Sequence, residues 1–208
     1  MEEAFLIVGL GNPGKDYAAT RHNVGFMALD RLAKRLGIEW EASKKFTSRL
    51  AKGRQDGNTV FLSKPQGYMN LSGQSVAPLA QYYQIPNERV MVVVDDLDLP
   101  LGAVRMRPGG GTGGHRGLVG KDDFPRLRLG IGRPESNRDV SGFVLGNFAE
   151  AETELLEKVL ETAADQIACW VLQGIGQAMN NYNGDFSPTE KKTDDEIRRD
   201  DHSEGDGA

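Results

Sequence analysis

The sequence predicts a single three-layer α/β/α domain on a central mixed, mostly parallel twisted sheet. Three observations carry that prediction. Apolar, β-branched runs alternate along the chain with stretches of helical spacing. Several of the connections exceed hairpin length, as crossovers between parallel strands require. The run Val90–Val94 is apolar throughout, the pattern of a central strand buried on both faces.

The elements follow in order. Phe5–Leu10 reads as the first strand, feeding a glycine-rich turn. Leu29, Leu32, Ala33 and Leu36 are spaced for a helix, with Gly37 placed to stop it. Phe46–Ala51 and Thr59–Lys64 read as strands. Val76, Leu79, Ala80 and Tyr83 mark a second helix that ends before Pro86. Strands follow at Val90–Asp95, Ala103–Arg107 and Leu127–Ile131. The longest helix runs from about Ala149 to Leu172, with Leu155, Leu156, Val159, Ala163, Ile167 and Trp170 on one side. Glu150, Glu152 and Glu154 suit the positive end of its dipole. Residues 1–186 form this domain; 187–208 are polar, acidic and aperiodic, and are expected to be a disordered tail.

A chain of 208 residues can bury a sizeable core. The single cysteine, Cys169, excludes an intrachain disulfide and falls within an apolar helical pattern, as a buried structural thiol would. The start Met1-Glu2-Glu3 lacks the basic residues of a targeting peptide, and no apolar stretch is of membrane-spanning length. The expectation is a soluble cytoplasmic protein. The net charge of −5 is uneven: the tail holds eight acids against four Lys or Arg, leaving 21 basic and 22 acidic residues in the body. Within the body, Val104–Arg138 holds Arg105, Arg107, Arg116, Lys121, Arg126, Arg128, Arg133 and Arg138 against three acids. That local excess lies beside a glycine cluster and reads as an anion footprint.

Four stretches concentrate polar groups. Gly9-Leu10-Gly11-Asn12-Pro13-Gly14 delivers the Asn12 amide at the end of the first strand, and Thr20-Arg21-His22-Asn23 brings an imidazole ten residues later. Gly9, Gly11 and Gly14 also spell the dinucleotide pattern G-x-G-x-x-G. Pro13 removes an N–H where a pyrophosphate needs donors, and the nearest acid, Asp30, falls within a helix. Pro65–Gly73 links a strand to a helix and carries Tyr68, Met69 and Asn70; Asn70 and Ser72 also suit plain helix capping. Asp95 is the first acid after the most apolar strand, placed to orient a nearby base. Gly109–Gly117 contains the glycines, His115 and Arg116. There is no G-x-S-x-G elbow, no H-E-x-x-H and no Walker A sequence. What remains is a base, a carboxylate and two amides: His22, Asp95, Asn12 and Asn70. In that set the imidazole, with an unperturbed pKa of about 6.5, is the natural base.

On Val8–Gly14, Tyr17–Asn23, Tyr68–Gly73, Asp95–Pro100 and Arg126–Pro134, collinear from Phe5 to Tyr182, the chain resembles the bacterial-type peptidyl-tRNA hydrolase family. The resemblance implies a single-domain, monomeric enzyme with no metal or organic cofactor. Its substrate would be the ester between peptide and tRNA, on peptidyl-tRNA dropped from the ribosome or trapped on stalled ribosomal subunits. By the same resemblance Asn12 contacts substrate near the scissile ester, Tyr17, Tyr68 and Asn70 contact it elsewhere, and Met69 lines the cleft. Arg107 and Arg128 match the pair that grips the 5′ phosphate of tRNA.

Two departures stand out. Arg116 occupies a position where the family commonly has asparagine; a guanidinium only donates, so it is expected on tRNA phosphate instead of copying an amide. Leu118–Pro125 is shorter than the family's usual helix and loop. That contraction favours a second reading, an RNA-binding relative with weakened catalysis; the intact His22, Asp95 and Asn12 favour the enzyme. A dinucleotide-dependent oxidoreductase is a third reading, opposed by Pro13.

Overall fold

The computed structural model describes residues 2–67, 72–109, 124–134 and 139–188. Its strands are β1 (Ala4–Gly9), β2 (Glu41–Ser43), β3 (Ser48–Gln55), β4 (Asn58–Pro65), β5 (Val90–Asp96), β6 (Ala103–Arg107), β7 (Arg126–Gly130) and β8 (Gly184–Asp185). They form one sheet in the order β2-β3-β4-β1-β5-β7-β6-β8. The centre is parallel, through β4–β1, β1–β5 and β5–β7, and antiparallel pairs flank it on both sides. The sheet is therefore mixed, with its parallel part confined to the four central strands.

Helices cover both faces. On one face α1 (Val24–Leu36), α4 (Thr153–Gln173) and α5 (Ile175–Tyr182) close a core that includes Ile7, Leu29, Leu62, Val93, Leu127 and Ile167. On the other, α2 (Gly73–Tyr82) closes a smaller core over Leu6, Val8, Phe61, Val92 and Phe124. A fifth helix, α3 (Val140–Leu145), has no buried residue. Gly37 ends α1 in the left-handed conformation, as its sequence position predicts. Cys169 is buried and unpaired.

Several bounds differ from expectation. The strand expected at Phe46–Ala51 begins at Ser48 and runs on to Gln55. Gln55 pairs with Asn58 across Asp56-Gly57, whose φ values of 47° and 88° suit a two-residue turn of the primed type. The charged residues Lys52 and Arg54 hide this strand from an apolar pattern. Glu150–Glu152 form a separate 3₁₀ turn, so α4 starts at Thr153 instead of near Ala149. Gly174, at φ 83°, breaks the helical run before α5. Residues 189–208, where a disordered tail is expected, lie outside the described residues. No helix among the described residues is long and apolar enough to cross a membrane.

Candidate active site

The glycine-rich turn is built for close packing. A Cβ on Gly9 would lie 2.5 Å from the Gly25 carbonyl oxygen, and one on Gly25 would lie 2.5 Å from the Val93 carbonyl oxygen. Two glycines thus let the start of α1 rest directly on the ends of β1 and β5. The 3₁₀ turn Arg21–Asn23 that leads into α1 is carried over those strand ends as a result. This packing accounts for one glycine of the dinucleotide-like pattern without a nucleotide. Asp30 is on α1 and pairs with Lys64 of β4 at 2.5 Å, not at the end of a second strand.

Over the strand ends, His22 and Asp95 meet. Nδ1 of His22 lies 2.9 Å from Oδ2 of Asp95. The carboxylate side chain is 7% exposed and the imidazole 24%, so the carboxylate is screened while part of the ring stays accessible. A carboxylate can only accept here, which assigns the proton to Nδ1 and leaves Nε2 as the basic nitrogen. Asp95 and Asp96 are consecutive on β5 and face opposite sides, as strand alternation requires. Asp96, itself buried, pairs with Arg128 and accepts from the Asp98 N–H at 2.8 Å.

Asn12 is brought to the same edge by a residue that pattern reading passes over. The side chain of Asn23 accepts from the Asn12 N–H at 2.8 Å and donates to the Asn12 carbonyl at 2.9 Å. Asn23 precedes α1 as a capping residue would, yet its side chain makes no cap bond, and its adjacency to His22 was the one available signal. Tyr17 sits on the 3₁₀ turn Lys15–Tyr17 and is 39% exposed at this end of the molecule.

The arginines gather on the β6–β7 ribbon. Arg105 is opposite Arg128 and Arg107 opposite Arg126, on the face turned away from Val104, Met106, Leu127 and Leu129 in the core. Arg107 is exposed, whereas Arg126 is buried with its guanidinium 4.6 Å from the Phe124 ring centre. The footprint is less positive than the linear count suggests. Arg128 pairs with Asp96 and Arg133 with Asp98, two acids from outside the counted segment. The hydrogen bond and charge of Arg133 hold the Asp98 carboxyl below its ordinary range.

Tyr68, Met69, Asn70 and Arg116 lie outside the described residues, as do 110–123 with most of the glycine cluster and the contracted stretch. Among the described residues no group of three or more His, Cys, Asp or Glu is placed to hold a metal ion.

The family model described as peptidyl-tRNA hydrolase matches residues 6–193. A peptidyl-tRNA hydrolase of Synechococcus sp. (strain JA-2-3B'a(2-13)) is 48% identical over 184 residues, 86% of this chain and 82% of that protein. One from Mycobacterium tuberculosis (strain ATCC 25618 / H37Rv) is 45% identical over 189 residues, 88% of this chain and 99% of its own. The crystal structure of peptidyl-tRNA hydrolase from Acinetobacter baumannii superposes with a TM-score of 0.82 at 41% identity, covering 89% of this chain and 97% of that one.

Proposed function

From the premise that this chain belongs to the peptidyl-tRNA hydrolase family, we propose that it hydrolyses the ester between a peptide and tRNA with His22 as general base. The observation that carries this reading is the 2.9 Å contact between His22 Nδ1 and Asp95. With Nδ1–H given to the carboxylate, Nε2 takes a proton from water as that water attacks the ester carbonyl. Asp95 favours the imidazolium formed in that step, and the proton then passes to the departing ribose oxygen. Asn12, fixed through its backbone by Asn23, presents its amide to the peptidyl group beside the scissile bond.

Arg107 and Arg128 grip the 5′ phosphate, with Arg116 adding a further phosphate contact. Tyr17, Tyr68, Met69 and Asn70 line the path of the acceptor end. The reaction needs no metal or organic cofactor. The protein acts as a cytoplasmic monomer on peptidyl-tRNA released early or held on stalled ribosomal subunits.

The deciding assay incubates purified protein with N-acetyl-aminoacyl-tRNA and with free aminoacyl-tRNA and follows ester loss. Hydrolysis of the blocked substrate alone is expected. Binding of tRNA with both esters left intact would instead establish the catalytically weakened RNA-binding relative.

A further inference from the structure

His22 is not held by Asp95 alone. The residue before it, Arg21, is buried, with its guanidinium carbon 4.5 Å from the ring centre of Phe143 and 4.8 Å from that of Phe148. Its Nη2 donates to Glu152 Oε2 at 2.6 Å and its Nη1 to the Ile131 carbonyl at 3.4 Å. The same Glu152 oxygen accepts from the Ala149 N–H at 2.6 Å, so the arginine and the entry to α4 share one acceptor. The Arg21 N–H donates to the Gly146 carbonyl at 2.9 Å, and Thr20 forms an isolated bridge with Asn147. One side chain therefore joins the His22 turn to the end of β7, to the segment after α3 and to the start of α4.

We propose that Arg21 is a positioning residue for the reaction: locked to Glu152 and between Phe143 and Phe148, it keeps the His22 turn in register with Asp95. The inference rests on the reading of His22 as general base. A planar guanidinium satisfies two rings, a carboxylate and a carbonyl at once, a set of contacts that fixes direction as well as distance. Lysine can keep the charge but not the plane. Arg21 and His22 are consecutive, so their Cα atoms are about 3.8 Å apart and a shift of one carries the other. A misplacement of about 1 Å in a catalytic group costs on the order of a hundredfold in rate.

The test uses Arg21→Lys, Arg21→Met and Glu152→Gln in the full chain. It measures single-turnover rate at saturating N-acetyl-aminoacyl-tRNA, KM, and the low-field NMR resonance of the His22 Nδ1 proton. Arg21→Met is expected to slow the chemical step by about 10- to 100-fold with KM within about threefold, and to weaken the proton resonance. Arg21→Lys is expected to lose about tenfold by the same mechanism, because the ammonium keeps the ion pair without the stack. Glu152→Gln, whose amide oxygen can still accept from both Arg21 and Ala149, should lose only severalfold. If Arg21→Met does not fold, Arg21→Lys decides. A folded Arg21 variant with wild-type rate and an unchanged Nδ1 resonance, whatever its melting temperature, overturns the proposal. An inactive His22→Ala beside such a variant leaves the base assignment standing; an active His22→Ala removes both.

Discussion

Asn23 bonds both backbone groups of Asn12, accepting at 2.8 Å and donating at 2.9 Å, from a side chain that is almost wholly buried. This arrangement imitates a strand partner for one residue of a loop that has none. Asn23→Ala would leave the Asn12 N–H and carbonyl without that partner, at a cost of about 1–3 kcal/mol in stability. Turnover should fall with it, because the Asn12 amide is no longer aimed. Asn23→Asp keeps the acceptor but sets a carboxylate oxygen against the Asn12 carbonyl, so it should not rescue. Urea denaturation and kcat for the three proteins test this; an Asn23→Ala protein unchanged in both would contradict it.

Removing the imidazole separates chemistry from binding. His22→Ala should lower turnover by about 10²–10⁴-fold, the range of a lost general base, with tRNA affinity almost unaffected. Single-turnover hydrolysis and filter binding of tRNA measure the two effects separately. Turnover near wild type in His22→Ala would remove this residue from the chemical step.

The fold and the central pair were legible because their signals are local or strongly periodic. Val90–Val94 marked the central strand, and Asp95 was the first acid after it. Gly37 marked a helix end. Residues whose role depends on partners distant in sequence left little trace. Arg21 reads as one charge in a motif until Glu152 and Phe143 arrive from more than 100 positions away. Nothing in the sequence sets Asp96 apart from its neighbouring acids until β7 places Arg128 against it. The short edge strands β2 and β8 and the helix α3 bury too few side chains to set a hydrophobic period.

The two phosphate-binding candidates should behave differently when truncated. Arg107→Ala and Arg128→Ala should each raise KM before lowering kcat, and each should reduce the salt slope of tRNA binding by about one. Arg107 is exposed, so its loss should leave stability unchanged within about 0.5 kcal/mol. Arg128→Ala also takes the cation from the buried Asp96 and should destabilise the fold as well. Salt-dependent binding combined with thermal melts resolves the pattern. Unchanged affinity and salt slope in either variant would take that residue out of the phosphate grip.

Lys64 supplies a pH-dependent stability that does not involve the reaction. Burial lowers its pKa from the ordinary 10.5, opposed by the hydrogen bond and charge of Asp30, while Trp40 lies 4.3 Å from the ammonium. A lysine whose folded pKa is depressed binds fewer protons folded than unfolded in the interval between the two values. Stability contributed by this site therefore rises with pH across that interval, up to 10.5. Lys64→Met removes the buried charge and leaves only the half-exposed Asp30 unpaired, which costs little. The variant should be at least as stable as the parent at about pH 7, by up to about 1 kcal/mol, since apolar replacement of a buried pair is often neutral or favourable. Its advantage should shrink as the pH approaches about 10, because the parent gains stability there and the variant has no such group to titrate. Urea titrations of both proteins at several pH values give the difference directly. A difference independent of pH, or one that widens with rising pH, would show that Lys64 is not the desolvated cation described.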